Sequence, residues 1–202
     1  MRANKKPATH ERVSEDFEAP TWDDIYDMCI ELAKKIAASG YQPEAILGIA
    51  RGGWIPARIL SDLLNVTLLT NIRIEFYQEV GMRGKKPVVT QPISYPLLNK
   101  RVLIVDDVAD TGLSLLVAKE AAIHAGSQEI RIATLYYKPW SKVKPDYYVK
   151  ETQKWVIFPW ERRETVIQLM QHATNEEARM RIVEKLSKAG LPKQLIEQLL
   201  TL

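Results

Sequence analysis

The run Arg101-Val102-Leu103-Ile104-Val105-Asp106-Asp107-Val108-Ala109-Asp110-Thr111-Gly112-Leu113-Ser114-Leu115 decides the fold. Four apolar residues, Val102 to Val105, follow Arg101, and three of them are β-branched, as a buried strand favours. Two adjacent carboxylates, Asp106 and Asp107, close the strand. Asp110 then leads a short loop of Thr, Gly and Ser before an apolar, helix-like pattern takes over. This is the pattern of a parallel strand whose carboxyl end holds a polar ligand.

Upstream, Ala45-Ile46-Leu47-Gly48-Ile49-Ala50 reads as a second buried strand, running straight into Arg51-Gly52-Gly53-Trp54 and a helix over 55–64. A strand, a glycine turn and a helix let backbone N–H groups approach an anion at the positive end of the helix dipole. The same glycines also suit a plain tight turn that needs only positive φ. Before this unit, Ile25, Met28, Cys29, Leu32 and Ile36 recur at helical spacing. Thr21 as N-cap and Gly40 as stop bound that helix to about 22–39.

Residues 66–76 read as a further strand. Residues 77–96 then hold two glycines and three prolines, with Arg83, Lys85 and Lys86 near Gly81 and Gly84. This predicts a hairpin-like excursion with a basic tip, either a solvated loop or a lid over an anionic substrate. Downstream of the central run come a helix over 114–125 with Gly126 at its end, a strand over 129–137 and a short strand at 147–149. The apolar segment Trp155-Val156-Ile157-Phe158-Pro159-Trp160 follows. Alternating strands and helices predict an α/β fold, a parallel sheet flanked by helices. From Glu161 onward strands give way to helices: Thr174 and Glu177 pattern as a capping box, Gly190 as a stop, and Leu191-Pro192 as a new start. The expected organisation is a flexible tail over 1–18, one domain over 19–160 and a helical extension over 161–202.

Composition narrows the classes. A chain of 202 residues at 46% hydrophobic buries a real core. No run reaches the ~18 apolar residues of a membrane-spanning helix, and the polar, basic N-terminus lacks the apolar segment of a secretory signal. The single cysteine, Cys29, rules out an internal disulfide framework and suits a reducing cytoplasm. It falls on the apolar side of its helix, as an inert core thiol would. The net charge of +3 suits anionic small molecules without demanding nucleic acid. His10, His124 and His172 are scattered and show no metal spacing. Trp54, Trp140 and Trp160 read as packing residues.

Two loops thus meet at the carboxyl ends of parallel strands. Arg51, Gly52 and Gly53 offer positive charge and amides. Asp110, Thr111, Gly112, Leu113 and Ser114 can wrap a monophosphate with amides and hydroxyls at a helix start. Asp106 and Asp107 repel phosphate and suit hydroxyl groups or a hard cation such as Mg²⁺. A ligand with a phosphate, a hydroxylated sugar and a metal-bound diphosphate satisfies every group, and 5-phosphoribosyl 1-diphosphate is such a ligand.

The run from Val102 to Ser114 resembles the phosphoribosyl-diphosphate signature of the type I phosphoribosyltransferases, and Ala50-Arg51-Gly52-Gly53 resembles their diphosphate loop. Lys138-Pro139 and the segment 155–161 resemble the base-recognition segments of bacterial xanthine-guanine enzymes and their archaeal relatives. The resemblance covers about 20–161. It implies the type I fold with a small base-binding hood, and a Mg²⁺-dependent purine salvage transferase acting on N9 of a 6-oxopurine. It implies Asp107 as the metal-associated acid, with Asp106 beside it at the ribose hydroxyls. Asp110 would be the catalytic acid near purine N7, and Arg51, Gly52, Gly53 and Arg83 would hold the diphosphate. Lys138 would donate to O6, Trp155 would stack on the base, and the Val156 carbonyl would face its 2-position. A non-proline cis peptide is expected at Ala50–Arg51. Leu113 stands where relatives often carry Gly or Lys, but its amide can still serve. Members are often homodimers or larger homo-oligomers, and cytoplasmic.

Rival readings are weaker. A phosphoacceptor receiver domain carries its acidic pair near its N-terminus and lacks the Asp-Thr-Gly continuation. No Gly-x-x-x-x-Gly-Lys-Ser/Thr is present for a P-loop. A regulator that senses phosphoribosyl diphosphate on the same fold would keep the signature, and so would a transferase for another base. Against a DNA-binding regulator, no helix-turn-helix unit precedes the core. Residues 161–202 also mix seven basic with six acidic side chains. Lys138 and Trp155 favour an enzyme.

Overall fold

The computed structural model describes residues 16–78 and 85–202. In chain order the elements are β1 (Phe17–Glu18), α1 (Trp22–Ala38), β2 (Ala45–Ala50), α2 (Trp54–Leu63), β3 (Leu69–Gln78), β4 (Lys85–Gln91) and β5 (Arg101–Ala109). They continue with α3 (Leu113–His124), β6 (Glu129–Tyr137), β7 (Tyr147–Glu151), β8 (Trp155–Val156), α4 (Arg162–Gln171), α5 (Glu176–Lys188) and α6 (Lys193–Thr201). The contacts group them into two compact units, one over 22–152 and one joining the N-terminal residues to 153–202. Residues 153–160, placed with the sheet domain from sequence, therefore group with the helices.

The larger unit is built on a six-stranded sheet in the order β4-β3-β2-β5-β6-β7, parallel except for β4, which runs antiparallel to β3. This is the expected α/β arrangement. The central strands β2 and β5 are buried along nearly their whole length, because helices cover both faces. Side chains alternate across a strand. Val102 and Ile104 therefore join Leu115, Ala118 and Ala122 of α3 in one core, while Leu103 and Val105 point to the face covered by α1 and α2. Helix α1 turns Ile25, Cys29, Leu32 and Ile36 inward, as its periodicity predicts.

The strand order reverses between β2 and β5. Their pairing stops at Gly48↔Val105, whereas β5 runs on beside β6 as far as Ala109↔Tyr137. β5 is thus longer than the expected strand, and Asp106 and Asp107 lie within it rather than beyond it. The hairpin of β3 and β4 matches the predicted excursion. Its tip, including Arg83, lies outside the described residues.

The smaller unit pairs β1 with β8 in parallel and packs them with α4 to α6 around Ile157, Val166, Leu186, Leu191 and Ile196. Phe17 and Glu18, expected in the tail, are therefore strand residues. α4 is not evident from the sequence pattern, because its apolar residues do not form a clean stripe. The helix cap expected at Thr174 belongs to Asn175, whose Oδ1 accepts from Ala178 N at 2.8 Å. Its side-chain carbonyl oxygen bonds the N3 amide directly. Gly190, at φ +110, ends α5. Gly190 N donates to Ser187 O, and Leu191 N reaches back to Leu186 O at 3.0 Å, the double bond of a Schellman turn.

Cys29 is fully buried, and burial pushes its thiol up to about 12. Native protein should therefore resist Ellman's reagent at about pH 8 and release one thiol per chain only on denaturation. Reaction of the native protein at the rate of a free thiol would show that α1 is not docked.

Candidate functional site

At the carboxyl edge of β2 the chain leaves the sheet through a cis peptide at Ala50–Arg51, as the resemblance implies. It then crosses the edge of β5 that β2 no longer covers. Neither Gly52 nor Gly53 has positive φ; Gly53 sits at φ −64. The reason for glycine is close approach instead. A Cβ on Gly53 would stand 2.6 Å from Val105 O and 2.7 Å from Asp106 Cα, and one on Gly52 would overlap the Asp107 carboxylate. Trp54 N and Ile55 N fold back onto Arg51 O and Gly52 O, which starts α2 directly after the turn. Pro56 fits there because first-turn amides have no intrahelical partner. Arg51 stays exposed beside this turn.

The acid pair is buried. Asp106 Oδ1 accepts from Asp107 N at 3.0 Å, and Asp107 Oδ1 accepts from Val108 N at 2.8 Å. Burial, and after it the Asp107 carboxylate, holds the Asp106 carboxyl well above the ordinary carboxylate range. Two such oxygen donors in a dry setting favour a proton, a hydroxyl or a hard cation. Mg²⁺ fits this donor chemistry, since it is commonly held by one or two carboxylates together with substrate phosphates.

Beyond Ala109 the loop turns through Gly112, at φ +77, into α3. No side chain caps α3; Thr111 Oγ1 accepts from Leu113 N only at 3.4 Å. Its first amides, with Thr111 and Ser114, are therefore available to an anion. Asp110 is exposed at the start of this loop, and its Oδ1 accepts from Trp140 Nε1 at 3.1 Å. Lys138 leaves β6 beside it: its N donates to Ala109 O at 3.0 Å, and its Nζ lies 5.5 Å from the centre of the Trp140 ring. Lys138 is buried, so it is not a solvated strand-end lysine.

The structure thus brings together Arg51, Gly52, Gly53, Asp106, Asp107, Asp110 to Ser114 and Lys138 at one edge of the sheet. Trp155 and Val156 lie in the smaller unit on β8, Trp155 exposed and Val156 buried; their expected role rests on the resemblance alone. Trp140, expected to pack, does not. It is 53% exposed and bonded to Asp110. The signal was the parallel register of two strands, which sets residues 138–140 beside 110–112. Trp54 does pack, against Gly48, and Trp160 stacks on Phe158 at 4.8 Å. A polar cavity of about 450 Å³ opens at the opposite edge, lined by Tyr41, Arg101 and Arg131 among others. Its arginines are engaged by Glu44, Glu129 and Asp146, so it offers no open charge. Among the described residues no helix is long and apolar enough to cross a membrane.

A parallel sheet with a glycine turn against an acid pair at its switch point, followed by an anion-receptive loop, is the class of α/β site that suits a phosphorylated, hydroxylated ligand. The chain belongs to the phosphoribosyl transferase domain family, which matches residues 21–164. It is 31% identical to the xanthine-guanine phosphoribosyltransferase of Gluconobacter oxydans over 80% of this chain and 91% of that protein. It is 29% identical to the enzyme of that name from Cereibacter sphaeroides, over 70% of this chain and 84% of the other. Among solved structures it is similar to the purine phosphoribosyltransferase of Pyrococcus horikoshii, with 46% identity and a TM-score of 0.65. That match covers 72% of this chain and 93% of the other.

The two glycines should respond differently to alanine. Gly53→Ala meets backbone, which cannot yield, so it should cost about 1–3 kcal/mol of stability as well as phosphoribosyl-diphosphate binding. Gly52→Ala meets a carboxylate that can turn aside, so it should unfold nearer the native temperature while still losing the ligand. Thermal denaturation and titration calorimetry on the pair check this; equal destabilisation would contradict the packing described.

Proposed function

We propose that the protein is a purine salvage enzyme that transfers the 5-phosphoribosyl group of phosphoribosyl diphosphate to N9 of a 6-oxopurine and releases diphosphate. The observation that carries the acceptor half is the buried Lys138, fastened beside the Asp110 loop through Ala109. An ammonium only donates, so it suits the O6 of a 6-oxopurine and finds no acceptor on the 6-amino group of adenine. The names of the relatives point to the same class of base.

The N9–C1 bond of the nucleotide forms while the bond from C1 to the diphosphate oxygen breaks, and the proton on N7 passes to the Asp110 carboxylate. The 5-phosphate is held by Asp110 to Ser114 at the start of α3. The leaving diphosphate meets Arg51 and the Gly52–Gly53 turn, where positive charge stabilises what develops in the transition state. Arg83 is expected to add to it. Asp107, with Asp106 beside it, would hold Mg²⁺, which neutralises diphosphate charge when bound. Asp106 would also hold ribose hydroxyls. A cytoplasmic, homo-oligomeric enzyme belongs to the same reading and rests on the family resemblance.

Nucleotide formation should appear with Mg²⁺, phosphoribosyl diphosphate and one or more of hypoxanthine, guanine and xanthine, and not with adenine. Turnover with adenine alone would overturn the role of Lys138, and inertness with every base would move the protein to a sensor. Asp110→Asn should lower kcat by about 100-fold or more while phosphoribosyl-diphosphate binding changes little. An equal loss in both would remove the proton-transfer role.

A further inference from the structure

Trp140 touches two groups of the site at once. Its indole Nε1 donates to Asp110 Oδ1 at 3.1 Å, and Lys138 Nζ lies 5.5 Å from its ring centre. The turn that carries it is tied down on both sides of Asp110. Lys138 N donates to Ala109 O at 3.0 Å, and Lys142 N donates to Thr111 O at 3.1 Å. Ser141 N closes the turn onto Lys138 O at 2.9 Å. Gly112 lies so close to the turn that a Cβ there would stand 2.7 Å from Ser141 Oγ and from Val143 N. The backbone therefore presents Trp140 to Asp110. At 53% exposed, the ring is not there to fill a core.

We propose that Trp140 is a positioning residue that orients Asp110 for the proton on purine N7 and sets it at a fixed spacing from Lys138. The inference rests on the assignment of Asp110 and Lys138 made under the proposed function. An exposed carboxylate on a loop is otherwise free to rotate, and that freedom must be lost in the reacting geometry. Indole can only donate. It occupies Oδ1 and leaves Oδ2 for the N7 proton. The face of the same ring attracts the Lys138 ammonium. O6 and N7 share one edge of a 6-oxopurine, so a single rigid ring that holds both groups matches their spacing to that edge. Trp140 itself makes and breaks no bond in the reaction.

Trp140→Phe keeps a ring face for Lys138 and removes only the N–H. Its kcat with the accepted base should fall about tenfold, the scale of one lost hydrogen bond to a charged group. KM for phosphoribosyl diphosphate and the melting temperature should stay near wild type. In an Asp110→Asn background the same substitution should cost nothing further, because its effect passes through the carboxylate. The indole N–H proton resonance that is missing from the Trp140→Phe spectrum should shift in Asp110→Asn. Wild-type kcat in Trp140→Phe, or an equal fold-loss in both backgrounds, overturns the inference while the proposed function stands. A wild-type protein inert with every base overturns the proposed function and the inference with it.

Discussion

The contact on which the site depends is the approach of the Gly52–Gly53 backbone to the buried acids of β5. Gly53 has no room for even a methyl group between itself and Val105 O. That approach requires β2 to end at Ala50, because a continuing strand would pair along β5 and cover the acids. It requires β5 to continue to Ala109 with β6 as its remaining neighbour. It also starts α2 at once, with Trp54 N and Ile55 N closing onto the turn. The result sets Arg51 and a helix N-terminus close to two carboxylates, so one crevice offers both signs of charge. A sugar bearing a diphosphate and free hydroxyls needs both.

Burying the acid pair is costly to the fold. A buried carboxylate loses hydration that its hydrogen bonds only partly replace. Asp106 shows the cost: burial and its neighbour's charge raise its affinity for a proton. The sign follows from linkage. The folded state binds a proton that the unfolded chain has already released, so ionising Asp106 above the ordinary carboxylate range lowers stability. A fold stable by only about 5–15 kcal/mol keeps such a pair where a ligand repays it. Asp110, by contrast, is exposed and bonded to an indole. The carboxylates thus divide by environment, two in a dry strand and one on an exposed loop.

Much of this was legible in the sequence, for identifiable reasons. The apolar runs at 45–50 and 102–105 and the helical spacing of Ile25, Cys29, Leu32 and Ile36 report burial directly, so the sheet and α1 follow from them. Both loops were legible because the glycines and the paired acids each follow directly on a buried apolar strand. The extra length of β5 was hidden, because charged residues argue against a strand unless a neighbouring turn shelters them. α4 was hidden because its apolar residues lack a clean stripe, and the strand status of Phe17–Glu18 because it depends on β8, far along the chain. Trp140 was missed because its meaning lies in a pairing register, which no local pattern displays.

That register explains why Asp110 and Lys138 are neighbours at all. β5 and β6 run parallel and in step from Arg101↔Glu129 to Ala109↔Tyr137. Whatever follows each strand therefore emerges side by side at the carboxyl edge, and Asp110 meets the turn beginning at Lys138. An antiparallel pair would have sent the two turns to opposite ends of the sheet. Side chains alternate along a strand, so a one-residue slip of β6 would send each side chain to the opposite face of the sheet. The burial of Ile132, Ala133, Leu135 and Tyr136 resists that slip from both faces. The hydrophobic core on either side of β6 thus fixes, through register alone, which side chains stand beside the Asp110 loop.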